Sequence, residues 1–244
     1  MLKKIILVLF LSASLFSSTI TIAVSANVSY AIKALVKEFN KLYPDVKVRV
    51  ILGGSGKLVA QIRNDAPYGL FMSANMDYPE ALYKDGIALQ KPLVYTQGSL
   101  AYLSRKKLDF SHISKLLKSD RIRKIAVANP KTAPYGRATI EALKNMGIYE
   151  DIKQKFVYSE SISQTVSYAM MATDIGFVAK SSLYSSKMLR FKRDENWVEV
   201  DSILYTPIKQ GVVILRQDKN IKLFYDFILS TEAKEIFKDF GYLI

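Results

Sequence analysis

Apolar periodicity switches back and forth along this chain, and no other feature restricts its fold so strongly. Ser18 to Ser25 (STITIAVS) is a β-branched run with strand character. Directly after it, Val28, Ala31, Ile32, Leu35, Val36, Phe39 and Leu42 fall at three- and four-residue steps, the spacing of one helix face. Asn27 is placed to cap that helix and Pro44 to end it. The switch recurs with a strand from Val46 to Leu52, the turn Gly53-Gly54-Ser55-Gly56, and a helix carrying Leu58, Val59 and Ile62. A short strand from Leu70 to Ser73 and a helix over Tyr78 to Lys84 follow.

The middle of the chain repeats the pattern. Leu100 to Ser104 and Lys124 to Ala128 read as strands, followed by helices from Gly136 to Met146, stopped at Gly147, and from Ser161 to Met171. Ile175 to Ala179, Trp197 to Val200 and Gly211 to Leu215 read as strands, and two helices close the chain around Phe224 to Ile228 and Glu232 to Phe240. Such alternation predicts an α/β fold of mostly parallel sheets flanked by helices. Two extended segments, Pro92 to Tyr95 and Tyr205 to Pro207, bracket the middle block and read as paired crossovers between two lobes. The expected division is lobe I at residues 19–94 plus 206–244, and lobe II at residues 95–205.

Composition narrows the function. Of 244 residues half are apolar, with 15 Tyr and 12 Phe, which excludes a disordered or collagen-like chain. The absence of Cys removes disulfide scaffolds, thiol nucleophiles and Cys-ligated metals, and a single His, His112, leaves no multi-His metal centre. The 35 Lys+Arg against 22 Asp+Glu give a formal +13, which points to nucleic acid, an anionic membrane or a small anion. Residues 1–18 read as an export signal: Lys3 and Lys4, an apolar run from Ile5 to Leu11, then small residues. The run is too short to span a bilayer, so a soluble periplasmic protein with no membrane insertion is expected. No Cys follows, so no lipid anchor is expected. Loss of Lys3 and Lys4 leaves 33 − 22 = +11. Export, the scatter of Lys and Arg, and the lack of any RNP, zinc-finger or basic-zipper pattern argue against nucleic acid.

Gly53 to Lys57 is not an ATPase phosphate loop, because Ile51 and Leu58 stand where Gly and Ser/Thr are required. Glycine-rich backbone ahead of a helix still offers free N–H groups and a positive dipole end to an anion. Asn27, Pro134-Tyr135-Gly136 and Glu160-Ser161-Ile162 also stand at helix starts, and each alone is an ordinary cap or turn. Together they make strand-to-helix junctions in both lobes. Ligands of open α/β sheets sit beyond the carboxyl ends of the strands, so facing junctions would surround a small anion. Catalysis has little support: no G-x-S-x-G elbow is present, and Glu150-Asp151 and Asp194-Glu195 read as solvated loop charges.

At these junctions the chain resembles the periplasmic molybdate-binding proteins of ABC importers, which have a type II solute-binding fold. The resemblance rests on Ala23-Val-Ser-Ala-Asn-Val-Ser-Tyr-Ala-Ile, Gly53-Gly-Ser-Gly-Lys-Leu-Val-Ala-Gln-Ile, Leu70-Phe-Met-Ser-Ala-Asn, and Tyr225-Asp-Phe through Glu235-Ile-Phe-Lys-Asp-Phe-Gly-Tyr. It implies two lobes joined by two crossover strands, no enzymatic activity, no cofactor, and a monomer that delivers molybdate or tungstate to a membrane permease. It implies ligand contacts from Asn27, where many members have serine, from Ser55, and from the backbone of Tyr135 and Ile162. The oxyanion would be held by hydrogen bonds, without direct metal coordination. Ala179 stands where some members place a ligand tyrosine, and the Tyr135 phenol is the expected substitute. The alternatives are a binder of sulfate, phosphate or an iron chelate, and an exported hydrolase using paired carboxylates.

Overall fold

The computed structural model describes residues 18–244. The export-signal reading lies outside this range except at Ser18, which already pairs with Val46 at the start of the first strand. The elements run β1 (Ser18–Ser25), α1 (Ile32–Leu42), β2 (Val46–Gly53), α2 (Ser55–Arg63), β3 (Leu70–Met72), α3 (Asp77–Lys84), β4 (Leu93–Gly98) and β5 (Leu100–Leu103). They continue with α4 (Ile113–Lys118), β6 (Ile125–Ala128), α5 (Pro134–Asn145), α6 (Tyr149–Ile152), β7 (Phe156–Ser159), α7 (Ile162–Met171) and β8 (Ile175–Ala179). The last elements are β9 (Trp197–Glu199), β10 (Ile208–Ile214), α8 (Lys219–Ile228) and α9 (Thr231–Asp239).

Two five-stranded sheets form, ordered β2-β1-β3-β10-β4 and β7-β6-β8-β5-β9. In the first, β10 runs antiparallel to both neighbours while β2, β1 and β3 are parallel. In the second, β5 plays the same reversed part beside parallel β7, β6 and β8. Both sheets are therefore mixed, with one reversed strand each. That strand is in both cases the one entered just after the chain crosses over, which gives the two lobes a common plan. The first crossing is at Ser99, later than the 94/95 division read from the sequence, because Thr96, Gln97 and Gly98 still pair with Gln210, Lys209 and Ile208.

Each sheet buries its own core. Ile22, Leu35, Phe39, Phe224 and Phe237 are fully buried on one face of the first sheet, where Phe39 meets Phe224 edge-on at 5.0 Å. Leu58, Val59, Ile62, Phe71 and Val213 fill the other face. In the second lobe, Ile125, Val127, Leu143, Ile152 and Phe177 form the main cluster. Ala26 and Ala74 of the first lobe join that cluster, so packing is continuous across the junction.

The helix predicted after Asn27 differs from the one observed. Residues Ala26–Ser29 make a 3-10 turn and α1 begins only at Ile32, so Asn27 caps nothing. Its amide is drawn instead toward Gln210 and Tyr242. Ser161 does cap α7, its hydroxyl accepting from the Gln164 N–H at 3.4 Å.

Candidate functional site

The carboxyl ends of β1, β2 and β3 meet the helix starts of the second lobe around a space of about 200 Å³. Its walls are Ser25, Ala26, Asn27, Gly54, Ser55 and Ala74 from the first lobe, and Ala133, Pro134, Tyr135 and Ile162 from the second. All four residues picked from the sequence, Asn27, Ser55, Tyr135 and Ile162, therefore border one cavity. The part of it that the centre of a water-sized sphere can reach is only about 10 Å³, far below the about 300–1,000 Å³ typical of drug-sized ligand sites. No ionisable Lys, Arg, Asp, Glu or His side chain lines it, despite the chain's net +13.

Three helices start at its wall. Ser55 is the first residue of α2, Tyr135 the second of α5 and Ile162 the first of α7. First-turn N–H groups have no partner inside their helix. Among the described residues, those of Ser55, Tyr135 and Ile162 have no other acceptor either. Partial positive charge from three helix ends is thus concentrated on one small volume.

Ser55 is 1% exposed, and its hydroxyl lies 2.6 Å from the Ser25 hydroxyl while accepting from the Ala74 N–H at 3.2 Å. Sequence reasoning missed Ser25, which was read as the last residue of a strand. The available signal was its place at a strand's carboxyl end, just before a helical turn. Asn27 is also buried, and its Oδ1 has no hydrogen-bond partner. The Tyr135 phenol, the substitute expected from the sequence for a ligand tyrosine at position 179, is engaged within the protein. Its oxygen accepts from Gln210 Nε2 at 3.2 Å and is pressed on the crossover, only 1.9 Å from where a Cβ on Gly98 would stand. The main-chain N–H of Tyr135 has no acceptor among the described residues. Ala179 ends β8 buried and outside the cavity wall. Burial raises the phenol pKa values of Tyr95, Tyr135 and Tyr242, so these groups stay neutral.

The lobes are closed on one another. Gly56 N–H donates to Thr132 O at 3.0 Å, Lys57 pairs with Glu160 at 2.7 Å, and Arg137 lies 3.4 Å from Asp77. A Cβ at Gly54 would stand 3.1 Å from Glu160 O, and one at Gly56 3.1 Å from Thr132 Cα and O and 2.8 Å from the Tyr78 hydroxyl. Gly54 and Gly56 therefore let the main chain of the second lobe approach, a reason invisible in the sequence.

A two-lobed α/β molecule with a small cavity of uncharged residues between its lobes is the architecture of a solute-binding protein, and comparison with known proteins agrees. The family model described as "Bacterial extracellular solute-binding protein" matches residues 20–243.

The chain belongs to that family.

This solute-binding protein is 32% identical over 233 residues to the molybdate-binding protein ModA of Azotobacter vinelandii, covering 93% of this chain and 90% of that one. It is 33% identical over 201 residues to ModA of Rhodobacter capsulatus, covering 80% and 77% respectively. The solved structure of the Azotobacter vinelandii periplasmic molybdate-binding protein superposes with a TM-score of 0.85 at 29% identity, covering 92% of this chain and 99% of that chain. The family carries solutes and is not one of enzymes. Among the described residues no helix is long and apolar enough to cross a membrane. His112, exposed at the start of α4, is not among the residues of the cavity wall.

Proposed function

We propose that this solute-binding protein captures molybdate, or its near-twin tungstate, in the cavity between its lobes and delivers it in the periplasm to an ABC permease. The carrying observation is the small cavity lined by uncharged donors and three helix starts. The molybdate-binding names of its relatives supply the ligand class. A doubly charged tetrahedral anion would be held by the Ser25 and Ser55 hydroxyls, by Asn27, and by the N–H groups of Ser55, Tyr135 and Ile162. Charge-assisted bonds of this kind are short and roughly twice as strong as neutral ones. Sulfate has the same charge and a smaller radius. It would leave some of these buried donors unpaired, at about 1–3 kcal/mol for each.

The lobes, residues 18–98 plus 208–244 and residues 100–205, would open and close about the crossings at Ser99 and Tyr205 to Pro207. Donors lie on both lobes, so a bound anion favours the closed form by its differential affinity. The residues ahead of β1 would be the export signal.

Thermal unfolding with molybdate, tungstate, sulfate and phosphate in turn tests the reading. Molybdate or tungstate at 100 times its Kd should add about 2.7 kcal/mol of stability. A shift with sulfate or phosphate and none with molybdate or tungstate would overturn it.

A further inference from the structure

Gln210 lines no part of the cavity, yet it connects the ligand-side residues of both lobes. It is fully buried in β10, at the bulge between Gln210 and Gly211. Its Oε1 accepts from Asn27 Nδ2 at 2.8 Å and from the Tyr95 hydroxyl at 2.8 Å, while its Nε2 donates to the Tyr135 hydroxyl at 3.2 Å. Asn27 Nδ2 also reaches Tyr242, at 3.4 Å, and the Tyr242 hydroxyl donates to the Asn27 carbonyl at 2.8 Å. The Ser181 hydroxyl of the second lobe donates to that same carbonyl at 3.2 Å.

In this arrangement the amide nitrogen of Asn27 is spent on Gln210 and Tyr242, and the other limb of the amide, Oδ1, is a buried acceptor without a partner. An acceptor limb on the wall of an anion cavity repels its ligand. Turning the Asn27 amide over by itself would set its Oδ1 against Gln210 Oε1. Turning both amides over keeps the contacts of Gln210 and gives up only the long 3.4 Å one from Asn27 to Tyr242, whose own hydrogen stays on the Asn27 carbonyl. Gln210 Nε2 then donates to Asn27 Oδ1 and to the Tyr95 oxygen, and the Tyr95 hydrogen swings from Gln210 to Ser73 O, 3.1 Å away. Gln210 Oε1 accepts from the Tyr135 hydroxyl. Asn27 Nδ2 takes the unpartnered limb as a donor.

We propose that Gln210 is a positioning residue that couples the two lobes' halves of the site, and that its amide turns over together with that of Asn27 when an oxyanion binds, so that Asn27 presents N–H rather than oxygen to the ligand. The unpartnered Asn27 Oδ1 and the bridging of Asn27 to Tyr135 through one buried amide carry the inference, which rests on the oxyanion reading above. The two orientations use the same heavy-atom positions, so the switch requires no lobe movement of its own. It makes the identity of residue 210 matter to a ligand it never touches.

Calorimetric titration of molybdate into the full-length mature protein, as wild type, Gln210→Met, Asn27→Ala and the double variant, tests this. Gln210→Met keeps the volume and removes the amide, and should weaken binding about tenfold, the equivalent of one lost net hydrogen bond. In the Asn27→Ala background the same change should cost no more than about twofold, because the group that Gln210 orients is gone. A merely structural role would instead weaken both backgrounds equally, and that additivity would overturn the proposal. Gln210→Glu gives a second route should the Met variant fold poorly. A carboxylate can only accept, so it locks Asn27 in the unfavourable orientation and should weaken binding more than Gln210→Met. Wild-type affinity in either variant would defeat the proposal and leave the oxyanion site standing. A wild-type protein that binds none of molybdate, tungstate and sulfate would overturn the oxyanion reading, and this inference with it.

Discussion

On the first-lobe side of the cavity, Ser25, Asn27 and Ser55 bring polar side chains that already bond to one another or to β10. On the second-lobe side, Ala133, Pro134, Tyr135 and Ile162 bring main chain at two helix starts, with apolar or occupied side chains. The sheets behind these walls share one strand plan. One scaffold thus supports two kinds of donor, one written in residue identity and the other in backbone position. The first lobe should be sensitive to changes of side-chain chemistry. The second should respond mainly to changes that move or block its backbone.

The largest effect should come from Gly56→Ala, which leaves both donor sets intact and prevents them from meeting. The added methyl would press on the Thr132 main chain only when the lobes are closed, and it would also displace the Tyr78 hydroxyl of its own lobe, the movable end of a half-exposed side chain. Overpacking of about 1–3 kcal/mol translates to roughly 5- to 150-fold weaker binding by calorimetry. The melting temperature of the ligand-free protein should move far less, and wild-type affinity would contradict closure through this contact. Next is Ser55→Ala, which removes a hydroxyl bonded to Ser25 and Ala74 and one charge-assisted bond to the anion. Loss of about 1.5–2.8 kcal/mol, or roughly 10- to 100-fold in Kd, is expected.

By contrast, Ile162→Val should keep affinity within about twofold, since the N–H of that position and not its side chain is the donor. A tenfold loss would break the contrast between the lobes. Smaller still is Lys57→Ala. Its bridge to Glu160 joins the lobes at half-exposed side chains and is worth about 0.2–1 kcal/mol in low salt, fading as salt screens it. Least of all should be the effect of pH on the protein's donors. The buried phenols of Tyr95, Tyr135 and Tyr242 have pKa values raised above their ordinary range, so none loses its proton between about pH 6 and 9. Unfolding frees these phenols to ionise, so their stabilising share is present below the ordinary phenol pKa of about 10 and is lost above it. Melting curves across that alkaline range check the sign.

The same contrast explains what was legible in the sequence. The strand-and-helix alternation and the motif around Ser55 are local patterns, and local patterns place helix starts. Tyr135 and Ile162 were accessible for that reason, although their side chains say nothing about an anion. Asn27 was found at its position but misread as a helix cap, because a 3-10 turn intervenes before Ile32. The pairing of Asn27 with Gln210 spans 183 positions, and nothing near either residue advertises it. Gly54 and Gly56 looked like a turn, whereas the close main chain of the opposite lobe is what excludes a Cβ there. The net charge gave the sign of the ligand and misdirected the search for its contacts, because the wall of the cavity is neutral.

Anomalous diffraction at the molybdenum edge, from crystals grown with molybdate, tests the central claim most directly. The account predicts one strong peak in the cavity bordered by Asn27, Ser55, Tyr135 and Ile162. The oxyanion's oxygens should lie about 2.7–3.2 Å from the Ser55 hydroxyl and from the N–H groups of Tyr135 and Ile162. A peak held by surface lysines and arginines, with none between the lobes, would contradict it.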